Sequence, residues 1–216
     1  MDANASGKTT RGHRAFAKRD WLAFDRLDYL VVKIVLGIAV VGSVLFGLGG
    51  PVLAAAKDAP LPVSYTTKIT SGIELPRGAT HDGNATVELM LTHATLGERL
   101  TQALPKLLFA AMAITVALLL YQLLRDTRAG EPFTRRNVWR INTTALIVGI
   151  GWMPVQFTQG VADNMIQTSG RIPDQGLPSF VFTFTPLPLA TGIVIALIGE
   201  VFRRGVELRD DVEGLV

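Results

Sequence analysis

The chain has 216 residues, 49% of them hydrophobic and only 18% charged, with 21 Lys and Arg against 18 Asp and Glu; at a mean hydropathy of +0.34 it is too apolar for an ordinary soluble domain. The absence of cysteine excludes disulfides, thiolate nucleophiles and Cys-based zinc sites, and His13, His81 and His93 lie too far apart in sequence for a fixed zinc spacing, so no metal or other cofactor is expected.

Residues 1–28 form an N-terminal arm. Its first twelve residues are small and polar and read as disordered, while Phe16, Trp21, Leu22, Phe24 and Leu27 are interleaved with Lys18, Arg19 and Arg26. That mixture fits either a short interfacial helix at the lipid headgroups or a cytoplasmic extension of the first span.

The first span is expected over 29–56, where an apolar run is interrupted only by Lys33 and loosened by Gly47, Gly49, Gly50 and Pro51. About 20 helical residues suffice to cross a hydrocarbon core of ~30 Å. Ala54-Ala55-Ala56 resembles a signal-peptide cleavage site, but the run is longer than a usual signal core and a long arm precedes it, so an uncleaved span is the better reading. Residues 57–103 then alternate apolar and polar side chains around Val63–Ile69 and Thr86–Leu91, with turn residues at His81-Asp82-Gly83-Asn84. A small antiparallel β element follows, and a lone hairpin must rest on other structure to persist in water.

A second span is expected over 104–127, a turn over 128–140, a third span over 141–162, a loop over 163–179, a fourth span over 180–202 and a tail over 203–216. Lys and Arg concentrate in the arm, in the 128–140 turn and in the tail, which places those segments and both termini in the cytoplasm and the β element outside it. The fold class expected is thus an all-α membrane protein of four transmembrane helices, with an extracytoplasmic β element between helices 1 and 2, in a bacterial inner membrane. Each span carries one small-residue pair suited to close helix packing, Ser43/Gly47, Ala113/Ala117, Ala145/Gly149 and Gly192/Ala196, whether within one chain or in a homo-oligomer.

The polar residues at membrane depth are the candidate interhelical or pathway groups. Lys33 and Glu200 both lie near the cytoplasmic boundary, where they can pair, or where Lys33 snorkels to the headgroups and Glu200 bonds Arg203 and Arg204. Gln156, Gln159 and Asp163 form a stripe on the third helix, expected to face Thr183, Thr185 and Thr191 of the fourth. Because Pro154, Pro186 and Pro188 lie near, the stripe reads either as a seam satisfying freed backbone groups or as a transport site.

The most distinctive string is Arg128-Ala129-Gly130-Glu131-Pro132-Phe133-Thr134-Arg135-Arg136-Asn137. Gly130 can end the second helix, Pro132 blocks its continuation, Thr134 can cap the third, and Phe133 is free to tuck between helix ends. Together with the tail from Glu200 to Val216, this turn resembles the bacterial domain of unknown function family 2975. The resemblance implies four transmembrane helices and no established activity, and it further implies a small helix-turn-helix regulator as a partner. Arg128, Phe133, Arg135, Arg136 and Asn137 are the candidate partner surface at the cytoplasmic face; the alternative is that the bases only fix topology.

The expected function is that of a non-enzymatic integral membrane protein acting through partners, with a regulatory or sensory role. A small oligomeric transporter or channel is the alternative. An intramembrane enzyme is a weaker third, since no nucleophile elbow, phosphate loop or metal motif is present. The basic residues lack an interleaved stacking platform, so no direct nucleic-acid partner is expected.

Overall fold

The computed structural model of the chain describes residues 26–68, 84–171 and 185–214. The interfacial-helix reading of the arm, the His81-Asp82-Gly83 turn, Thr183 and residues 172–179 of the expected loop fall outside those residues, whereas residues 163–171, expected as the start of that loop, continue the helical segment before it.

Helix α1 (Arg26–Val44) runs through one π-helical turn (Leu45–Gly49) into α2 (Gly50–Ala56), with Pro51 in the first turn of α2, where a missing N–H costs least. Strands β1 (Leu61–Lys68) and β2 (Asn84–Leu91) pair antiparallel, Leu61 opposite Leu91 and Val63 opposite Leu89. Helix α3 (Leu96–Arg128) follows, then α4 (Arg135–Ile150), α5 (Trp152–Ile166), a π-helical turn (Gln167–Arg171) and α6 (Pro186–Glu213). Four helical segments, 26–56, 96–128, 135–170 and 186–212, are long and apolar enough to cross a membrane, and the protein is a multi-pass membrane protein.

Several elements outrun the spans expected from hydropathy. Helix α3 begins at Leu96, inside the segment read as exported, because Thr95 and Glu98 form a reciprocal capping box: Glu98 N–H donates to Thr95 Oγ1 at 3.3 Å and Thr95 N–H to Glu98 Oε2 at 2.7 Å. Helix α4 likewise starts at Arg135, within the expected turn. The third spanning segment is broken at Gly151. Pro154 cannot donate to the Ile150 carbonyl, and a Cβ on Gly151 would strike the Met112 methyl of α3, so a small residue stands at the break.

The principal helix contacts run in a row, α1 against α3, α3 against α4 and α5, and α4 against α6. Small residues set the closest approaches. A Cβ on Gly192 would lie 2.6 Å from Gly149 Cα and 2.8 Å from the Ala145 carbonyl, so α4 and α6 meet backbone to backbone. A Cβ on Gly47 would lie 2.5 Å from Ala110 Cβ, and beside it Phe46 and Phe109 meet edge-on with ring centres 5.9 Å apart. The small residues named from sequence on helices 1, 3 and 4 therefore pack within one chain.

The hairpin rests on this helical row. Leu61, Val63 and Ile166 form a buried cluster, with Leu89, Leu91 and Ala94 packed around it. Alternation along the two strands turns one apolar face onto the end of α5, which gives the two-stranded sheet the support it lacks alone.

Candidate functional site

Polar side chains gather at both ends of the helical row. At the turn end, Ala129 to Thr134 reverse the chain between α3 and α4. Gly130 has φ +86°, a conformation that L side chains resist, and its N–H donates to the Thr127 carbonyl at 3.1 Å. Thr134 caps α4, its Oγ1 accepting from Asn137 N–H at 3.3 Å. Asn137 is fully enclosed. Its Nδ2 donates to the Glu131 and Pro132 carbonyls at 3.3 and 3.1 Å, closing the turn from inside, and its Oδ1 accepts from Arg140 Nη1 at 2.6 Å. Arg140 Nη1 also meets Asp126 Oδ2 at 2.6 Å, joining α4 to α3 through a charge-assisted bond with the arginine buried. Thr144 Oγ1 donates to the Arg140 carbonyl at 2.9 Å, one turn further in.

Outside this clamp lies the exterior of the turn. Phe133 tucks against α6, its ring 5.3 Å from that of Phe202 and so near Gly205 that a Cβ there would lie 2.5 Å from Phe133 Cδ1. Arg135 and Arg136 are exposed, Arg135 lying 3.4 Å from Asp210 of α6. The Arg128 guanidinium lies 5.8 Å from the Tyr29 ring centre, a cation–π contact that ties the end of α3 to the start of α1. Asn137 corrects the sequence reading: its place in the basic string groups it with the partner surface, yet it has no exposed area, because its carboxamide is the piece that satisfies the backbone of the turn.

At the hairpin end, Asp163 of α5 is buried and bonded by amides. Gln102 Nε2 of α3 donates to Asp163 Oδ1 at 2.5 Å, Gln159 Nε2 donates to both carboxylate oxygens at 3.2 Å and to Gln102 Oε1 at 2.9 Å. Gln167 Nε2 donates to the Ser64 carbonyl at 2.8 Å, tying the end of this helix to β1. Gln159 and Asp163 of the expected stripe face Gln102 of α3, and Thr191, one of the three threonines expected opposite them, donates its hydroxyl to the Leu187 carbonyl of its own helix at 2.9 Å. Gln156 is half-buried one turn earlier on α5. A second joint is made by Arg99, whose Nη1 donates to the Ala54 and Ala59 carbonyls at 3.2 and 3.0 Å, Nε to the Ala94 carbonyl at 3.2 Å and Nη2 to Asp58 Oδ1 at 2.6 Å. One guanidinium thus holds the end of α2, the entry to β1 and the exit from β2.

Lys33 and Glu200 stand apart. Lys33 Nζ lies 5.6 Å from the ring centre of Tyr121 on α3, whereas Glu200 accepts from Arg203 at 2.7 Å and from Arg204 at 3.1 Å on its own helix. Each has its own partner. Among the described residues no three His, Asp or Glu side chains converge as a metal site would require.

The family described as protein of unknown function DUF2975 matches residues 92–216. The chain belongs to that family. Within the DUF2975 match lie Arg99, Gln102, Asp126, the whole Gly130–Asn137 turn, Arg140, Asp163 and α6, while α1, α2, β1 and β2 fall before it. Both polar clusters are therefore built on the matched part, and the hairpin is joined to it from outside. No curated protein and no solved structure matches the chain.

Sequence reading missed Gln102, Arg99 and the Asp126–Arg140 pair. The last had a signal: Asp126 and Arg140 stand seven residues either side of Phe133, and two helices folded about a short turn bring such positions face to face. Gln102 and Arg99 had none, since their partners lie about 40 to 60 residues away along the chain.

Proposed function

We propose that this chain is a non-enzymatic membrane protein that acts through a protein partner docking at the turn end, in a regulatory or sensory role linked to a small helix-turn-helix regulator. The observation that carries the reading is the Asp126–Arg140–Asn137 clamp, which holds a short turn in one shape while leaving Arg135 and Arg136 exposed on its outside. Fixing a loop from within lowers the ordering cost of binding to its outer face. The distribution of Lys and Arg supports placing this end and both termini in the cytoplasm of a bacterial cell, with the hairpin beyond the inner membrane.

A photo-crosslinking side chain at Arg136, activated in native membranes and followed by mass spectrometry, tests the reading. The expected result is a regulator-sized protein joined at position 136, with its yield cut severalfold by Arg140→Leu. Recovery of lipid adducts alone, in membranes where the chain is folded, overturns it. Reporter fusions to the two ends test the orientation, and ends in opposite compartments overturn that part.

A second reading, a small oligomeric transporter or channel, draws on the buried Asp163 with its two glutamines, toward the far end of the helix that starts at the Gly151 break. It predicts that Asp163→Asn or Gln156→Ala alters flux in reconstituted vesicles; unchanged flux removes it.

A further inference from the structure

At the turn end, α1 and α3 exchange cations and rings. Tyr29 and Lys33 stand four residues apart on one face of α1, and Tyr121, Arg125 and Arg128 stand at four- and three-residue steps on one face of α3. The helices run antiparallel, so the pairs cross: Lys33 Nζ lies 5.6 Å from the centre of the Tyr121 ring, and the Arg128 guanidinium 5.8 Å from that of Tyr29. A ring face holds a cation in place without neutralising it. Among the described residues neither Lys33 nor Arg128 has a carboxylate partner. Arg125, at a level between them, touches only the edge of Asp126 at 3.7 Å, and that carboxylate has its closer bond, 2.6 Å, to Arg140. Asp28 precedes Tyr29 and so lies about 100° round α1 from this face. Three cations therefore converge here with their charge largely uncompensated.

The surface changes character one turn deeper. Lys33 stands about 10 Å along α1 from Arg26, and below it on the same face Gly37 leaves open space, with nothing within 4 Å of an added Cβ. Val41 of α1 and Leu118 of α3 are exposed at that depth. Cations above a bare apolar slot match the profile of a phospholipid, headgroup above and acyl chain below.

We infer that this constellation is a binding site for an anionic phospholipid, with Lys33, Arg125 and Arg128 around its phosphate and an acyl chain lying along Gly37. The ammonium and guanidinium groups supply charge-assisted donors to phosphate oxygens, and the two rings hold Lys33 and Arg128 near their bound positions, which lowers the ordering cost. The slot under the cations selects lipid over a free anion, since inorganic phosphate gains nothing from an apolar surface. This inference is independent of the partner reading, which concerns the outside of the turn.

The test offers the full chain, purified in mild detergent and stripped of lipid, equal amounts of phosphatidylglycerol and phosphatidylcholine with the same acyl chains, and counts bound lipid by native mass spectrometry. Phosphatidylglycerol is expected to be favoured about tenfold. Lys33→Gln with Arg128→Gln is expected to bring that preference close to unity, whereas Arg135→Gln with Arg136→Gln, which removes the same charge from the outside of the turn, leaves it in place. Arg125→Gln touches neither ring, so α1 and α3 stay joined, and it is expected to lower the preference about threefold. No preference in the unaltered chain, equal losses from the two double variants, or an undiminished preference in Arg125→Gln overturns the inference. Displacement of the lipid by millimolar inorganic phosphate overturns the choice of lipid. A photo-crosslinking side chain at position 33 is expected to capture phospholipid in native membranes, and capture of a protein in its place overturns the inference as well.

Discussion

The two ends of the helical row solve the same problem with different chemistry. At the turn end a single buried arginine and an aspartate join neighbouring helices across six residues of chain, and the closing interactions are charged or fully enclosed. At the hairpin end the connection is far longer, and it is held by amides on one buried carboxylate, one arginine on backbone carbonyls and a small apolar cluster. A charged clamp loses more than its own bond when one partner goes, because the other charge is stranded; an amide network loses its bonds one by one. The difference makes the turn end the stiff one and the hairpin end the one able to give way in parts.

The largest effect should come from stranding a charge. Arg140→Leu leaves Asp126 without its partner and Asn137 Oδ1 without its donor, and should cost about 3 kcal/mol. Thermal unfolding in a mild detergent measures it. Adding Asp126→Leu should recover part of the loss, since two apolar side chains strand nothing. If the single and double variants melt alike, the pair is no clamp.

Gln102→Leu makes the matching cut at the hairpin end. It removes the donor to Asp163 Oδ1 at 2.5 Å and the acceptor for Gln159, but Gln159 still holds both carboxylate oxygens, so the loss should be about 1 to 2 kcal/mol in the same assay. A loss as large as that of Arg140→Leu would erase the distinction between the ends. Arg99→Lys should act more locally still. A lysine keeps the charge but lacks the fork that reaches three carbonyls and Asp58 together, so hydrogen exchange should quicken in β1 while global melting moves little.

The ends also differ in how far they could be read from sequence. The turn was legible because its causes are local: a glycine at positive φ, a proline that stops the helix and a capping threonine lie within five residues of one another. Spans and strands were legible through apolar periodicity, which depends on lipid, water and the pleat and not on a particular neighbour. Burial of Asn137 was not, because an amide in a basic string gives no sign of whether it faces in or out. Gln102 and Arg99 were invisible for another reason: Gln102 is an ordinary polar residue early in a helix until the 163 region is brought against it. The extent of α3 was misjudged because hydropathy marks where lipid begins, whereas the capping box at Thr95 and Glu98 marks where the helix begins.

The smallest test places the same substitution at both ends. Gly97 sits in the first turn of α3 with nothing within 4 Å of an added Cβ, while Gly130 also has open space around it but at φ +86°. Crowding therefore separates neither site, and only the backbone differs. Gly97→Ala removes unfolded-state freedom and fits the helix, so it should stabilise by about 0.5 kcal/mol. Gly130→Ala gains the same entropic advantage but must hold an alanine in the left-handed region, which should leave a net loss of about 0.5 to 1 kcal/mol. Opposite signs in paired melting curves would tie the stiffness of the turn to its backbone as well as to its ion pair. Equal signs would show that Gly130 relaxes to negative φ without loss, and the rigidity assigned to the turn would then rest on Arg140 alone.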